Sequence, residues 1–215
     1  MPWVIAVSGF HNSGKTTLCR FLAEELRNRG LTVGYLKRTH ENVCSPAGTD
    51  TGNLLADGSD TALWGNDGVR TESKADDIDL RTLAGVFFPG KDVLILEGGK
   101  NLSVPRIWVG PAGENPEGVT GIIARYDRSI AGNGDTLFGG GDELALADFL
   151  ENLWKKAWTG PVEIYTGEKR VPVKAFVGEF IEGAVRGMMS ALKGVTGIAG
   201  DVRVYLRRDQ KRPAG

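Results

Sequence analysis

The sequence predicts an α/β fold, in which an open, mostly parallel sheet carries helices on both faces and a small β-β-α-β unit follows. Two observations lead to this prediction. An apolar run at residues 4–7 leads through a glycine-rich loop into a helical pattern, and a strand pattern at 31–37 completes a βαβ unit with parallel strands. Residues 93–96 are apolar without interruption, which indicates a central strand buried on both faces.

The glycine-rich loop reads Gly9-x-x-x-x-Gly14-Lys15-Thr16 between a strand and an amphipathic helix, the context of a Walker A P-loop. The fold is therefore predicted to be P-loop NTPase-like. The glycines leave backbone N–H groups free to approach a polyphosphate at the helix N-terminus. Lys15 is expected to bind the β- and γ-phosphates, and the Thr16 hydroxyl is expected to bind Mg²⁺. The residues predicted to bind nucleotide here are Gly9, His11, Asn12, Ser13, Gly14, Lys15, Thr16 and Thr17.

A carboxylate and two glycines, Glu97-Gly98-Gly99, follow the buried strand pattern. The carboxyl end of a central parallel strand lies at the ligand edge of an open α/β sheet. Glu97 is therefore predicted to be the Walker B residue, which holds the Mg²⁺ shell or a water. Gly98 is expected to let the backbone come near the phosphates. An ordinary turn glutamate is the alternative, because this pattern is less specific than Walker A.

The remaining patterns predict strands at residues 61–64, 69–72, 106–109 and 119–126, and helices after Asp50, at 80–88 and at 142–158. Glycine-rich segments at 110–118 and 130–141 are expected to be loops. A P-loop nucleotide-binding domain is expected to span residues 1–160, and residues 161–215 are expected to form a C-terminal extension. Its patterns are a hairpin at 162–173, a helix at 176–192, a strand at 202–206 and a basic, solvated tail.

Composition narrows the class of protein. The 26 Lys and Arg residues nearly balance the 27 Asp and Glu residues, so no strong overall field favours nucleic acid or a membrane surface as a partner. No apolar run approaches the length of a membrane span, and no signal peptide pattern occurs. The two cysteines cannot form a disulfide framework. These observations predict a soluble, cytoplasmic protein.

Four segments in a fixed order carry a family resemblance: residues 7–18 with the P-loop, Lys37-Arg38-Thr39-His40, residues 48–60, and residues 93–100. In these segments the chain resembles the molybdopterin-guanine dinucleotide biosynthesis protein B (MobB) family, P-loop nucleotide-binding accessory proteins of molybdenum or tungsten cofactor assembly. The resemblance covers roughly the first 150 residues. Two positions depart from the family pattern: Gly99 stands where an aromatic residue is usual, and Arg38 where a His is frequent.

The resemblance implies GTP and Mg²⁺ as ligands, weak intrinsic GTP hydrolysis and a homodimer. It also implies partnership with the molybdenum cofactor guanylyltransferase (MobA-like), which joins GMP to molybdopterin. By the same resemblance, Asp50 and Glu97 form an acidic pair near the metal, and Lys15 and Thr16 bind phosphate and Mg²⁺. The basic and polar residues implied to face the phosphates are Lys37, Thr39 and His40. The implied catalytic residues are Lys15, Glu97 and Asp50, and the implied metal ligands are Thr16, Asp50 and Glu97.

Some residues admit a plainer interpretation. His11 is by default an exposed loop residue, and His40 with Cys44 supplies too few ligands for a closed zinc site. The guanine-reading motif Asn-Lys-x-Asp is absent from the sequence, and its near-match at residues 73–76 precedes the Walker B strand. Asp127, at the end of a later strand, is the better placed residue to meet a base edge.

Three functions are compatible with these patterns. The first is a GTP-binding accessory protein with slow hydrolysis, since neither a Gln nor an Arg finger stands in a recognisable place. The second is a small-molecule kinase, although residues 130–141 nearly lack the cationic side chains of a lid. The third is a nucleotide-gated adaptor without enzymatic activity, which would use the same phosphate site.

Overall fold

The computed structural model describes residues 1–74, 78–114, 116–133, 135–157, 162, 164–166, 169–171, 173–195, 198, 202 and 204. The chain divides into two compact units, Met1–Lys156 and Ala157–Gly215. In chain order the strands and helices from the start of the first unit to the end of α4 are β1 Trp3–Gly9, α1 Lys15–Asn28, β2 Val33–Lys37, α2 Asp50–Ala56, β3 Thr61–Trp64, β4 Val69–Glu72, α3 Leu80–Phe87, β5 Val93–Glu97, β6 Arg106–Val109, β7 Ile122–Asp127, β8 Leu137–Gly139 and α4 Glu143–Ala157.

The central sheet has six strands in the order β2-β5-β1-β6-β7-β8, and each neighbouring pair is parallel. The P-loop strand β1 lies in the middle, between β5 and β6. Parallel strands present their carboxyl ends at one edge, so the ends of β1, β2 and β5 meet there. The predicted parallel α/β fold is confirmed, and its sheet edge gathers the P-loop with Glu97.

Apolar side chains that alternate along the strands form the core on one face of the sheet. They pack with the buried face of α1, with α4 and with Leu31. The opposite face carries Gly34 and Leu94, since neighbouring residues of a strand point to opposite faces. Phe88, which follows α3, lies so close to Gly34 that a Cβ there would be 2.6 Å from its ring. Both faces of the sheet are therefore covered.

Helix α1 is held to the rest of the unit at both of its ends. The turn before it brings its first residues to the sheet edge, and its buried positions Leu18, Leu22 and Leu26 recur at the helical period. Beyond its last turn, the Arg29 guanidinium binds the carboxylates of Glu25, Asp148 and Glu151 at 2.5–3.0 Å. The last two belong to α4, so α1 and α4 are joined by ion pairs as well as by the core.

The glycine-rich segment 130–141, expected to be a loop, contains the short edge strand β8. Its glycines permit a close approach that the sequence pattern does not show. A Cβ on Gly139 would lie 2.0 Å from the carbonyl oxygen of Ile130. The Asp142 carboxylate accepts hydrogen bonds from the N–H groups of Gly132 and Gly139 at 3.1 and 2.8 Å. Three residues are too few for strand periodicity to predict, which explains the difference.

The two antiparallel strands β3 and β4 form a separate hairpin, with Thr61 opposite Glu72 and Trp64 opposite Val69. Both strands have the predicted bounds. Glu72 is buried, and its carboxylate accepts hydrogen bonds from the N–H and hydroxyl of Ser45.

Within the described part of the chain, no helix has the length and apolar character to cross a membrane.

The second unit contains an antiparallel hairpin of β9 Ile164–Thr166 and β10 Lys169–Val171, followed by helix α5 Ala175–Ser190. The hairpin and the helix were expected from the sequence. Of the strand predicted at 202–206, only residues 202 and 204 are described, and neither is in a strand. The basic tail and the turn at residues 167–168 lie outside the described residues. The domain boundary at residue 160 stays a prediction.

Candidate nucleotide site

The P-loop closes tightly around its first glycine. A Cβ on Gly9 would lie 2.2 Å from the carbonyl oxygen of Val109 and 2.7 Å from Oγ of Ser13, so no side chain fits there. Gly14, the residue before α1, has φ 88°, and Asn12 has φ 58°. Both values lie in the left-handed region, where glycine and asparagine are the favoured residues. The loop conformation therefore depends on the residues predicted to form it.

The N-terminus of α1 is open to an anion. Gly14 caps it without a side-chain hydrogen bond, and the first turn contains no acidic residue. The unpaired N–H groups of a helix start carry a partial positive charge, which favours a phosphate at this position. Thr16 and Thr17 are exposed in the first turn, and His11 and Asn12 are exposed in the loop before it. These four side chains are accessible to a ligand at the loop.

Lys15 is folded back over the P-loop. Its ammonium donates hydrogen bonds to the Phe10 carbonyl oxygen and to Oγ of Ser13, the latter at 3.5 Å. Partial burial is the largest cause that lowers the pKa of Lys15 below its ordinary value; Glu97 raises this pKa, while Lys100 and Lys37 lower it. The cluster thus has three ammonium groups near one carboxylate, an arrangement that a polyphosphate would neutralise.

Glu97 is the acidic centre of the site. It is 5% exposed, and its Oε1 accepts a 2.9 Å hydrogen bond from the Thr16 hydroxyl. Its Oε2 accepts a 2.7 Å hydrogen bond from the Tyr35 hydroxyl, and Lys37 Nζ lies 4.0 Å from Oε1. Burial and the Glu97 carboxylate raise the pKa of Tyr35 far above its ordinary value, which keeps the phenol protonated as a donor. Thr16, predicted as a Walker A residue, and Glu97, predicted as the Walker B residue, are therefore in direct contact.

Tyr35 was not among the predicted site residues, because its contact with Glu97 depends on how two strands pair. Tyr35 and Lys37 are two positions apart on β2, so they share the face on which their neighbour Glu97 of β5 lies. Only the pairing of β2 with β5 brings this face to Glu97, and no local pattern states that pairing.

The turn after Glu97 is built from backbone contacts. Gly98 has φ 95°, and its N–H donates to the Val7 carbonyl oxygen at 2.9 Å. A Cβ on Gly98 would lie 3.1 Å from the carbonyl oxygen of Arg38, so the end of β2 passes close by. The Ser8 hydroxyl donates to the Gly98 carbonyl oxygen at 2.7 Å. These hydrogen bonds join Gly98 to Val7 and Ser8, the residues of β1 that lead into the P-loop.

A buried arginine, Arg106, supports this turn and was not predicted. Its side chain is fully buried, and Nη1 donates to Oγ of Ser8 at 3.1 Å and to the Gly99 carbonyl oxygen at 3.2 Å. Its other donors bind the carbonyl oxygens of Leu102 and Thr120. Burial lowers the pKa of Arg106 below its ordinary value. A signal was present in the sequence, since an arginine opens the otherwise apolar strand β6.

The other residues implied by the family resemblance make no side-chain hydrogen bond or ion pair with Glu97 within the described part of the chain. Asp50 is the exposed first residue of α2, and its side chain makes no hydrogen bond or ion pair within the described part of the chain. The Thr39 hydroxyl accepts a hydrogen bond from the N–H of Glu41, and His40 is exposed. No cluster of three or more metal-binding His, Cys, Asp or Glu residues occurs among the residues described. The roles of Asp50, Thr39 and His40 stay predictions.

Asp127 ends β7 at the same sheet edge, where its carboxylate joins two loops. It accepts hydrogen bonds from the N–H and hydroxyl of Ser129 at 3.0 and 2.6 Å, and from the N–H of Ala112 at 2.9 Å. The bonds from Ser129 are the largest cause that lowers the pKa of Asp127. In the structure, Asp127 therefore holds these two loops together. Its contact with a base edge stays a prediction.

Comparison with known proteins identifies the family. The family model described as molybdopterin guanine dinucleotide synthesis protein B matches residues 4–121. A molybdopterin-guanine dinucleotide biosynthesis adapter protein from Haemophilus influenzae is 29% identical over 160 residues, which are 69% of this chain and 88% of that protein. A probable adapter protein of the same description from Bacillus subtilis is 31% identical over 109 residues, which are 48% of this chain and 62% of that protein.

Solved structures share the fold of this chain. The crystal structure of a molybdopterin-guanine biosynthesis protein B has a TM-score of 0.56 at 23% identity and shares the fold; the match covers 70% of this chain and 99% of that one. The crystal structure of Bacillus subtilis MobB has a TM-score of 0.53 at 27% identity, over 71% of this chain and 97% of that one. With the family model matching more than half of its length, the chain belongs to the molybdopterin guanine dinucleotide synthesis protein B (MobB) family.

Proposed function

We propose that this protein is an accessory adapter in molybdopterin guanine dinucleotide biosynthesis that binds GTP with Mg²⁺ at its P-loop. Family membership and the adapter role stated for its relatives support the pathway. The observation that carries the nucleotide part is the 2.9 Å contact between Thr16 and Glu97 beside Lys15. A phosphate-binding lysine, a hydroxyl and a carboxylate at one loop are what a bound nucleotide and its metal require.

The residues present fit Mg²⁺. The Thr16 hydroxyl and the Glu97 carboxylate are oxygen ligands, which this hard cation prefers, and Mg²⁺ keeps water and phosphate oxygens as its other ligands. Two protein oxygens therefore suffice, and the Thr16–Glu97 pair would hold the ion. Asp50 is proposed as a third protein ligand, and the second acidic one, which would act when the segment before α2 lies against the phosphates. When bound, the ion would neutralise charge on the β- and γ-phosphates.

We propose that intrinsic GTP hydrolysis is slow. Lys15 and the first-turn N–H groups of α1 would orient the phosphates and neutralise their charge, which is most of what phosphoryl transfer needs from a protein. Positioning of the attacking water usually requires a further residue, such as a glutamine. The one glutamine of this sequence is Gln210, near its C-terminal end. Turnover below about 1 s⁻¹ without a partner is therefore expected.

The proposed partners are a MobA-like molybdenum cofactor guanylyltransferase, which attaches GMP to molybdopterin, and a second copy of this chain in a homodimer. The adapter description of the relatives supports a role in which this protein binds partners rather than performs the attachment itself. A cytoplasmic location is the accompanying prediction from the sequence.

The experiment is calorimetric titration of nucleotide-free protein with GTP and with ATP, with and without Mg²⁺. Lys15→Ala should abolish measurable binding, because it removes the cation of the P-loop. Lys91→Ala is the matched control, since Lys91 is an exposed lysine that precedes the opposite end of β5 from Glu97. A preference for ATP, or nucleotide binding that survives Lys15→Ala, would overturn the proposal.

A further inference from the structure

Beside the P-loop lies an aromatic pair that carries a cation. Phe10, the second residue of the loop, meets Trp108 of β6 edge to face, with ring centroids 5.4 Å apart and planes at 90°. The Lys100 ammonium lies over both rings, 4.2 Å from the Phe10 centroid and 5.3 Å from that of Trp108. These distances are those of cation–π contacts. Lys100 is therefore held against the phosphate loop by a side chain of that loop.

Two ammonium groups converge on Phe10. Lys15 donates to the Phe10 carbonyl oxygen, while Lys100 lies on the ring of the same residue. Lys100 reaches this position because the chain turns sharply after Glu97, where Gly98 and Gly99 have φ 95° and 65°. The electrostatic effect of Lys100 on Lys15, which lowers the pKa of Lys15, agrees with this proximity.

Among the residues that the structure describes, no acidic side chain pairs with Lys100. Within the described residues, no carboxylate lies within 4.0 Å of its ammonium, whereas Arg29, Lys37, Arg70 and Lys155 each meet one. The nearby carboxylate, Glu97, is engaged by Thr16 and Tyr35. The aromatic faces supply only a weak partner for a full positive charge.

We propose that Lys100 is a second phosphate-binding cation of this site, which rests on the Phe10 and Trp108 rings and moves onto the terminal phosphate of a bound nucleoside triphosphate. This inference rests on the proposed nucleotide function and adds a residue that distinguishes a triphosphate from a diphosphate. The Lys side chain suits such a movement, since its ammonium is a compact charge on a flexible four-carbon stem.

Magnitudes favour the movement. A cation–π contact at a partly exposed site is weaker than a hydrogen bond to a charged group. A triphosphate near the P-loop therefore outcompetes the rings for the Lys100 ammonium. The rings keep the ammonium beside the loop beforehand, which reduces the ordering that binding requires.

The test compares GTP and GDP, each with Mg²⁺, by calorimetric titration of the full chain. Lys100→Met keeps the length of the side chain but removes its charge, and Lys91→Met makes the same change at the opposite end of β5. Lys100→Met should weaken GTP binding about tenfold or more and leave GDP binding within about twofold of wild type. Lys100→Arg should restore at least half of the lost GTP affinity, expressed as binding free energy. Lys91→Met should alter neither affinity.

The outcomes separate this inference from the proposed function. Absence of GTP binding by the wild-type protein would refute the proposed function, and the Lys100 inference with it. If the wild-type protein binds GTP through Lys15 and Lys100→Met binds GTP equally well, the Lys100 inference alone is refuted. Equal loss of GTP and GDP affinity would also refute it, because Lys100 would then act through the shape of the P-loop and not through the terminal phosphate.

Discussion

The Thr16 hydroxyl donates a 2.9 Å hydrogen bond to Oε1 of Glu97 and so joins two residues that are 81 positions apart in the chain. Thr16 belongs to the first turn of α1, and Glu97 is the last residue of β5. The contact places a hydroxyl and a carboxylate beside the glycine-rich loop, where the proposed Mg²⁺ would bind. Tyr35 and Lys37 of β2 are further partners of Glu97 and complete a polar cluster. The other side chains on this face of the sheet pack in the apolar core.

Thr16→Val should remove the effect of Mg²⁺ on GTP binding without abolishing binding itself. The substitution removes a metal-binding oxygen and keeps the shape of the side chain, while Lys15 remains to hold phosphate. We expect Mg²⁺ to strengthen GTP binding of the wild-type protein about tenfold more than that of the variant. Titrations in Mg²⁺ and in EDTA measure this difference. Thr71→Val, on the exposed surface of β4, is the control; unchanged Mg²⁺ dependence in Thr16→Val would contradict the metal assignment.

Gly9→Ala should destabilise the protein, because the added Cβ would lie 2.2 Å from a backbone oxygen of the neighbouring strand β6. Overpacking of this kind costs about 1–3 kcal/mol or more. Gly113→Ala is the matched control, since a Cβ there meets nothing within 4 Å. Urea unfolding of the three proteins measures the difference. Equal stability of Gly9→Ala and wild type would show that the close approach of β1 and β6 at Val109 is wrong.

Arg106→Met should reduce the free energy of unfolding by about 3 kcal/mol, since it leaves several buried carbonyl oxygens and the Ser8 hydroxyl without their donor. The same substitution at Arg20, an exposed position of α1, should have little effect. Chemical denaturation followed by circular dichroism gives both values. If Arg106→Met is as stable as Arg20→Met, the guanidinium does not hold the turn after Glu97.

Asp127 should contribute to a loss of folding stability at acid pH. Its pKa is lowered in the folded state by the hydrogen bonds from Ser129 and Ala112, so the folded state binds this proton less readily than the unfolded state. The stabilisation is complete above the unfolded pKa of about 3.9, and it is lost as pH falls through the folded pKa. Asp127→Asn should therefore lose less stability than wild type between pH 6 and about pH 3.

Urea midpoints across this pH range measure the effect of Asp127. Asp57→Asn, at the exposed C-terminal end of α2, removes one carboxylate without these hydrogen bonds and serves as the control. A wild-type acid profile that matches that of Asp127→Asn would show that this carboxylate is not held by the two loops.

The conformation of the glycine-rich loop was predictable from the sequence because its requirements are local. Gly9 and Gly14 stand where a side chain would collide or where φ is positive, and Lys15 and Thr16 follow at once in the same segment. The apolar residues of the strand before the loop and of the helix after it are spaced as those structures require. The α/β class followed from the same local evidence.

Other parts of the site depend on contacts between distant segments. Ser8 and Arg106 are 98 positions apart, and Tyr35 and Glu97 are 62 apart, so no window of sequence contains either contact. The contact of Lys100 with the Phe10 ring also joins distant segments, since Phe10 follows β1 and Lys100 follows β5. The edge strand β8 was missed for a different reason, because three residues between glycines show no periodicity.

The sequence by itself determined the conformation of the loop proposed to bind a polyphosphate and which residue ends the central strand, because backbone sterics and side-chain period act over a few residues. The tertiary structure alone decided which side chains surround Glu97 and Lys15. The reason is the strand order, in which β5 and β6 flank β1 although both follow it by far in the chain. Hydrophobic burial selects that order, and the order then brings Thr16, Tyr35 and Glu97 together at one edge of the sheet.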